Sequence, residues 1–197
     1  MPERSSTLST AEQRRPVVLA SAVRRFARSG YLGTTVADVA TEANISPAYV
    51  FKLFPSKEGL FVATLEHCFD RVQEALEAGA DASTESTPSA ILYAMGGAYA
   101  ELIADRSLLM LQVHAQSAAE VPEIGGALRR GLARVTTFAK TRSGASDAEV
   151  QQFIAFGQLC HLIVTLGIDG SNEPWATLLT DGIRHPAFAP ETGGEDS

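Results

Sequence analysis

The side chains best suited to grip a polyanion and to read its edges fall in one stretch, Thr34 to Phe61 (TTVADVATEANISPAYVFKLFPSKEGLF). The hydroxyls of Thr35 and Ser46 and the ammonium groups of Lys52 and Lys57 suit phosphate oxygens. Pro47, Ala48 and Tyr49 follow a capping serine, where a helix end presents its first turn. Ala48 and the Tyr49 ring suit apolar contact with a thymine methyl, and the Tyr49 hydroxyl can bond a base or a phosphate. Catalytic spacings are missing elsewhere. The chain has no Gly-rich phosphate loop, no GxSxG and no paired carboxylates on an apolar face, so no enzyme is expected. His67, His114 and His161 have no carboxylate or cysteine at ligand spacing, so no metal or cofactor is expected either. Cys68 and Cys160 fit no redox spacing and read as free, buried thiols of a reducing compartment.

The elements that must position these groups follow from punctuation. Thr35, with Asp38 three residues on, forms a capping-box pattern before the stripe Val36, Val39 and Ala40, which predicts a short helix over about 36–43. Asn44 tolerates the left-handed conformation that ends a helix. Ser46 caps a second helix with Pro47 at its first position, Val50 and Phe54 on its buried face, and Pro55 as its stop. Two such short helices form a helix-turn-helix candidate over about 35–54. They bury too little surface to fold alone. The stripe Val18, Leu19, Ala22, Val23 and Phe26 supplies a third helix, starting near Arg14 and stopped by Gly30, with Tyr31 folding back as a plug. Residues 1–10 read as a flexible arm.

The segments FARSGY, TTVADVA and ISPAYVFKLFPSKEGLF carry a resemblance. The block from Arg15 to Leu65 resembles the DNA-binding domain of the TetR family of bacterial repressors. Long 3.6-period stretches and few alternating β-branched runs read as an all-α protein of about nine helices, and the resemblance implies the same layout. It would have a DNA-binding domain over 1–56 and an effector-binding and dimerisation domain over 57–184, while the Pro- and Gly-bearing residues 185–197 read as a flexible tail. The resemblance also implies a homodimer reading a palindromic operator, with half-sites about 34 Å apart, that a small molecule releases by tilting the fourth helix. Many members have Tyr and His near the end of the recognition helix. Here Phe51 and Leu53 stand instead, which shifts the phosphate contacts to Lys52 and the caps. The alternative is a constitutive DNA binder or a protein-regulated adaptor of the same fold.

Charge agrees with a basic end on an acidic body. The net charge is -7, yet residues 1–60 carry eight Lys or Arg against five acids, and the remainder eight against eighteen. A hydrophobic fraction of 45% suits a packed core. Nothing resembles a signal peptide or a membrane span, so a soluble cytoplasmic protein is expected.

Beyond Lys57 the 3.6 period predicts helices over about 57–78, 89–104, 108–119, 122–141 and 147–166, and a short ninth helix around Trp175. On these, Met95, Tyr99, Met110, His114 and Phe138 are candidates for an apolar cavity with a phenol and an imidazole as polar handles. That chemistry favours a neutral or aromatic ligand over an anionic one. The later half of the eighth helix, FGQLCHLIVTLGI, is apolar almost all round and needs partners on more than one side. Phe156, Leu159, Ile163, Leu166 and Trp175 are therefore expected at a subunit interface.

Overall fold

Capping side chains set where the helices begin. In the computed structural model, which describes the backbone of residues 4–183 and the side chains of residues 13–183, the hydroxyls of Thr35, Ser46, Ser56, Thr87 and Ser146 each accept an amide N–H from the first turn that follows. Thr35 with Asp38 and Ser146 with Glu149 close reciprocal capping boxes. Among the described residues the order is α1 (Arg4–Gly33), α2 (Val36–Glu42), α3 (Pro47–Leu53), α4 (Lys57–Asp81), α5 (Pro88–Leu102), α6 (Arg106–Ser117), α7 (Pro122–Ser143), α8 (Asp147–Leu166), a short 3-10 turn (Ile168–Gly170) and α9 (Pro174–Thr180). No strand occurs among them, and the fold is all-α.

Two expectations about the first helix change. It begins at Arg4 and not near Arg14, so the part of the expected arm that is described is helical; Met1 to Glu3 lie outside the described residues. Pro16 sits on the exposed face, where the carbonyl left without an amide partner can meet water. The helical path breaks at Gly30, which takes φ 68° and ψ 179° and turns the chain so that Tyr31 folds inward. The expected tail over 185–197 lies outside the described residues.

α4 is the spine. Its buried residues run from Leu60 through Ala80, and they join one continuous core cluster with Val18, Phe26, Val39 and Val50 at one end and Met95, Ile124 and Val150 at the other. Phe61 receives Phe26 and Tyr31 edge-on, at centroid distances of 4.7 and 5.3 Å. The core thus passes through the boundary expected at residue 57. On the outside of α4, Glu66, Asp70 and Asp81 meet Arg130, Arg134 and Arg142 of α7 at 3.0, 2.8 and 2.7 Å. Numbers rise together along both helices, so α4 and α7 run parallel. Each exposed pair adds at most about 1 kcal/mol, but the ladder sets their register. The helices approach closely because position 131 is glycine: a methyl group there would lie 2.2 Å from Cδ2 of Phe69.

Candidate DNA-reading tip and ligand cavity

The tip of the molecule is built by two caps of different capacity. Ser46 Oγ accepts the amide of Tyr49 at 3.2 Å and keeps its own hydrogen to donate. Thr35 Oγ1 accepts the amide of Asp38 at 3.1 Å and also donates to Asp38 Oδ2 at 2.7 Å, so its donor is already engaged and a carboxylate stands beside it. Pro47, Ala48, Phe51 and Lys52 are exposed on α3, Tyr49 is half-buried, and Val50 is buried against α1 and α2. Lys57 places its ammonium 4.4 Å from the centre of the Tyr31 ring, at the first turn of α4. The Tyr31 hydroxyl donates to Glu58 at 2.5 Å; burial first, then this carboxylate, push the phenol up to about 12, while the bond holds Glu58 below the usual carboxylate range.

Part of the positive charge counted from the sequence is already engaged within the protein. Arg24 bonds Glu42 at 2.6 Å, and Arg25 lies 3.4 Å from Asp38 and 3.9 Å from Glu42. Arg15 lies over the Phe54 ring at 4.3 Å and donates to the Leu53 carbonyl at 3.2 Å, which closes the end of α3. Lys52 has no carboxylate partner among the described residues and stands on the same exposed helix as Ala48. The charge excess is therefore weaker as an argument than the count implies, and the tip's geometry is stronger.

Behind this tip, between α4, α5, α6, α7 and α8, lies a cavity of about 650 Å³. Phe69, Val72 and Leu76 form one wall, Leu92 and Gly96 a second, Leu128 and Leu132 a third, and Phe153 and Phe156 a fourth. Tyr99 lines it as expected from the sequence, together with Gln112, Gln116, Gln158 and Arg129, which the sequence reading missed. The Tyr99 hydroxyl meets His161 Nε2 at 2.5 Å and accepts from Gln112 Nε2 at 3.3 Å. Gln116 Nε2 donates to Gln158 Oε1 at 2.9 Å. Burial pushes His161 down to about 4, so the imidazole is neutral near pH 7, and its Nδ1 finds no partner in the protein.

Four expected cavity residues lie elsewhere. Met95 is fully buried in the main core. Met110 packs on the Ile103, Leu109, Cys160 and Val164 cluster. His114 rests its ring on Gly30, where a methyl group would sit 3.1 Å from Nδ1. Phe138 borders a shallow depression with Gln73 and Arg134 on the outer side of α7. The cause on α6 is rotation: Gln112 and Gln116 face the cavity, and residues two positions away lie about 200° round the helix. The signal available in the sequence was that polar i, i+4 pair on an otherwise apolar helix.

Residues 18–64 match the family model described as bacterial regulatory proteins, tetR family. The regulator BetI of Brucella canis is 29% identical over 114 residues, which cover 56% of this chain and 58% of that protein. Among solved structures, a TetR-family regulator from Mesorhizobium loti superposes with a TM-score of 0.61 at 21% identity, covering 86% of this chain and 90% of that one. Residues 18–64 are a DNA-binding domain of the TetR type. FadR of Bacillus subtilis, solved in complex with stearoyl-CoA, shares the fold with a TM-score of 0.63 at 16% identity, covering 83% and 92% of the two chains. The chain spans between 21% and 58% of the curated relatives it matches. Those relatives and structures are named as transcriptional regulators.

The residues expected at a subunit interface divide. Ile163 is fully buried with Ile168 and Ala176 inside the subunit, because the 3-10 turn and α9 fold back over that face of α8. Leu159 packs at the edge of the same cluster. Phe156 is half-exposed and lines the cavity. Leu166 and Trp175 are exposed by 67% and 55%, and Leu162 and Leu178, not singled out from the sequence, by 47% and 80%. Among the described residues no helix is long and apolar enough to cross a membrane.

Proposed function

We propose that this chain represses transcription as a homodimer bound to a palindromic operator and leaves it when a small, largely apolar ligand fills the cavity. The cavity carries this reading. A void of about 650 Å³ with mostly apolar walls is the size and character of a small-molecule site. A solid core at the same place would favour the constitutive or adaptor alternative. In this reading residues 1–56 bind DNA, and residues 57–184 hold the effector and the partner subunit.

Pro47, Ala48 and Tyr49 enter the major groove and read bases. Ser46, with its unused hydroxyl hydrogen, Lys52 and Lys57 take phosphates, and Lys57 must swing off the Tyr31 ring to do so. Thr35 contributes through its helix-end amides more than its engaged hydroxyl. Ligand acts by changing the separation of the two recognition helices, so effector and operator each weaken the binding of the other.

The test is selection of binding sites from a randomised duplex pool. A palindrome with half-sites about one helical turn apart is expected to be enriched. Tyr49→Ala should then weaken binding to the selected site by about 1–3 kcal/mol per base contact and leave random duplex binding nearly unchanged. Lys57→Ala should weaken both and flatten the salt dependence. No enrichment, or an unchanged specificity ratio in Tyr49→Ala, would refute base reading by α3.

A further inference from the structure

The cavity also states what kind of ligand end it asks for, and this inference rests on the reading of the cavity as an effector site. The deeper polar side chains that line it, Tyr99 and Gln112, are already bonded. The Tyr99 hydroxyl is bonded to His161 and to Gln112, and Gln112 Nε2 donates to both Tyr99 Oη and the Leu108 carbonyl, at 3.3 and 3.2 Å. A ligand gains little from these groups unless it displaces bonds already made. The phenol expected to be a handle is therefore closed to it, and the expected imidazole, His114, lies outside the cavity against Gly30.

Arg129 is different. Its neighbours along α7 are held by α4 carboxylates: Arg130 by Glu66, Arg134 by Asp70, Arg142 by Asp81. Arg129 has no carboxylate partner among the described residues and is the one basic side chain among those that line the cavity. Its Nη1 lies back along its own helix, 3.4 Å from where a Gly125 methyl group would be. Gly125, Ala119 and Gln116 line the cavity at the same place, the turn between α6 and α7. Gln116, Gln158 and Arg129 are exposed there, whereas Tyr99 and Gln112 lie deeper, so the cation stands at a mouth. Glu149 is the one acidic residue among those lining the cavity; its Oε2 is held by the amide and hydroxyl of Ser146 at 2.7 and 2.6 Å, at the start of α8.

We propose that the cavity binds an amphiphile whose single anionic head group pairs with Arg129 at the mouth while its apolar body lies along Phe69, Val72 and Leu128. A guanidinium with one side in water and one side against apolar walls can take a carboxylate or phosphate through two parallel hydrogen bonds. Screening is weaker there than on an open surface, so the pair is worth more than an exposed salt bridge. One cation suits one anionic group. A nucleotide or other multiply charged ligand would bring charges that no further basic side chain lining the described cavity meets.

The probes are four twelve-carbon chains differing only in the head: dodecanoate, dodecyl phosphate, dodecanol and dodecyltrimethylammonium, each below its micelle concentration. Binding to the full chain is measured by calorimetry and thermal shift, with Arg129→Gln, Arg129→Lys and Arg130→Gln beside the wild type. One or both anions should bind at least about ten-fold more tightly than dodecanol, a gap of about 1.4 kcal/mol, and the cationic probe should bind most weakly. Arg129→Gln should bring the anions down to the dodecanol level, Arg129→Lys should keep part of the gain, and Arg130→Gln should keep all of it. A preference between the two anions upholds the proposal and assigns the head group. Dodecanol binding as tightly as both anions, or anion affinity unchanged in Arg129→Gln, overturns the proposal and leaves the apolar effector site standing. If the folded protein takes none of the four, both readings fall.

Discussion

His161 is a base kept neutral by its surroundings. Buried beside Tyr99, with Nδ1 unpartnered, it has a pKa pushed from 6.5 down to about 4. Above pH 6.5 the imidazole is neutral in both folded and unfolded chains and adds no pH dependence. As pH falls from 6.5 towards 4 the unfolded chain takes a proton that the folded one refuses, so stability falls by up to roughly 3 kcal/mol across that window. The melting temperature of the wild type should drop between pH 6.5 and 5, before most carboxylates titrate. His161→Gln, which keeps a hydrogen-bonding group opposite Tyr99, should flatten that drop. An equal slope in both proteins would show that another group is responsible.

At the scale of elements α6 has a position of its own. It turns Gln112 and Gln116 to the cavity and, from the turn between them, His114 to Gly30 of α1. One helix thus touches both the ligand space and the strained residue that ends the long part of the first helix. An alanine at Gly30 meets two penalties, a positive φ of 68° and the imidazole 3.1 Å away. Gly30→Ala is expected to lower the unfolding free energy by about 1–3 kcal/mol in urea titration. Adding His114→Ala should recover only the steric part, and a double-mutant cycle measures that coupling. Strict additivity would mean that the ring does not bear on Gly30. In the proposed mechanism, His114→Ala alone should blunt the response to ligand and leave operator affinity near its wild-type value.

For the whole molecule the deciding feature is apolar surface on α8 and α9 that is exposed among the described residues. Leu162, Leu166, Trp175 and Leu178 are all exposed by 47% or more, which is costly in water unless something covers them. A second copy of the chain is the proposed cover, and the structure separates two kinds of substitution that the sequence treated alike. Leu166→Asp with Trp175→Asp should give a folded monomer by light scattering and circular dichroism. Ile163→Asp places a charge in the subunit's own core and should unfold it or cause aggregation. A wild-type chain that remains monomeric at micromolar concentration would remove the dimer from the proposal.

Local signals made the reading end of the chain legible. Caps, Pro47 at a helix start, Asn44 with φ 53° and the period-3.6 stripe through Val36, Val39 and Ala40 act within a turn or two, so they survive in the linear text. The same holds for the capping box at Ser146 and the break at Gly30. Periodicity also shows which residues leave the solvent, but not which of several buried neighbours they meet. Met95, Met110 and His114 share apolar surroundings in the sequence, yet the rotation of α6 and the packing of α5 on α4 send each to a different contact. The pairing of Arg24 and Arg25 with α2, the α4–α7 ladder that leaves Arg129 without a carboxylate among the described residues, and the fold of α9 over Ile163 each join residues far apart in the chain. Such pairings are set by how whole helices slide and turn against one another, so only the tertiary structure decides them.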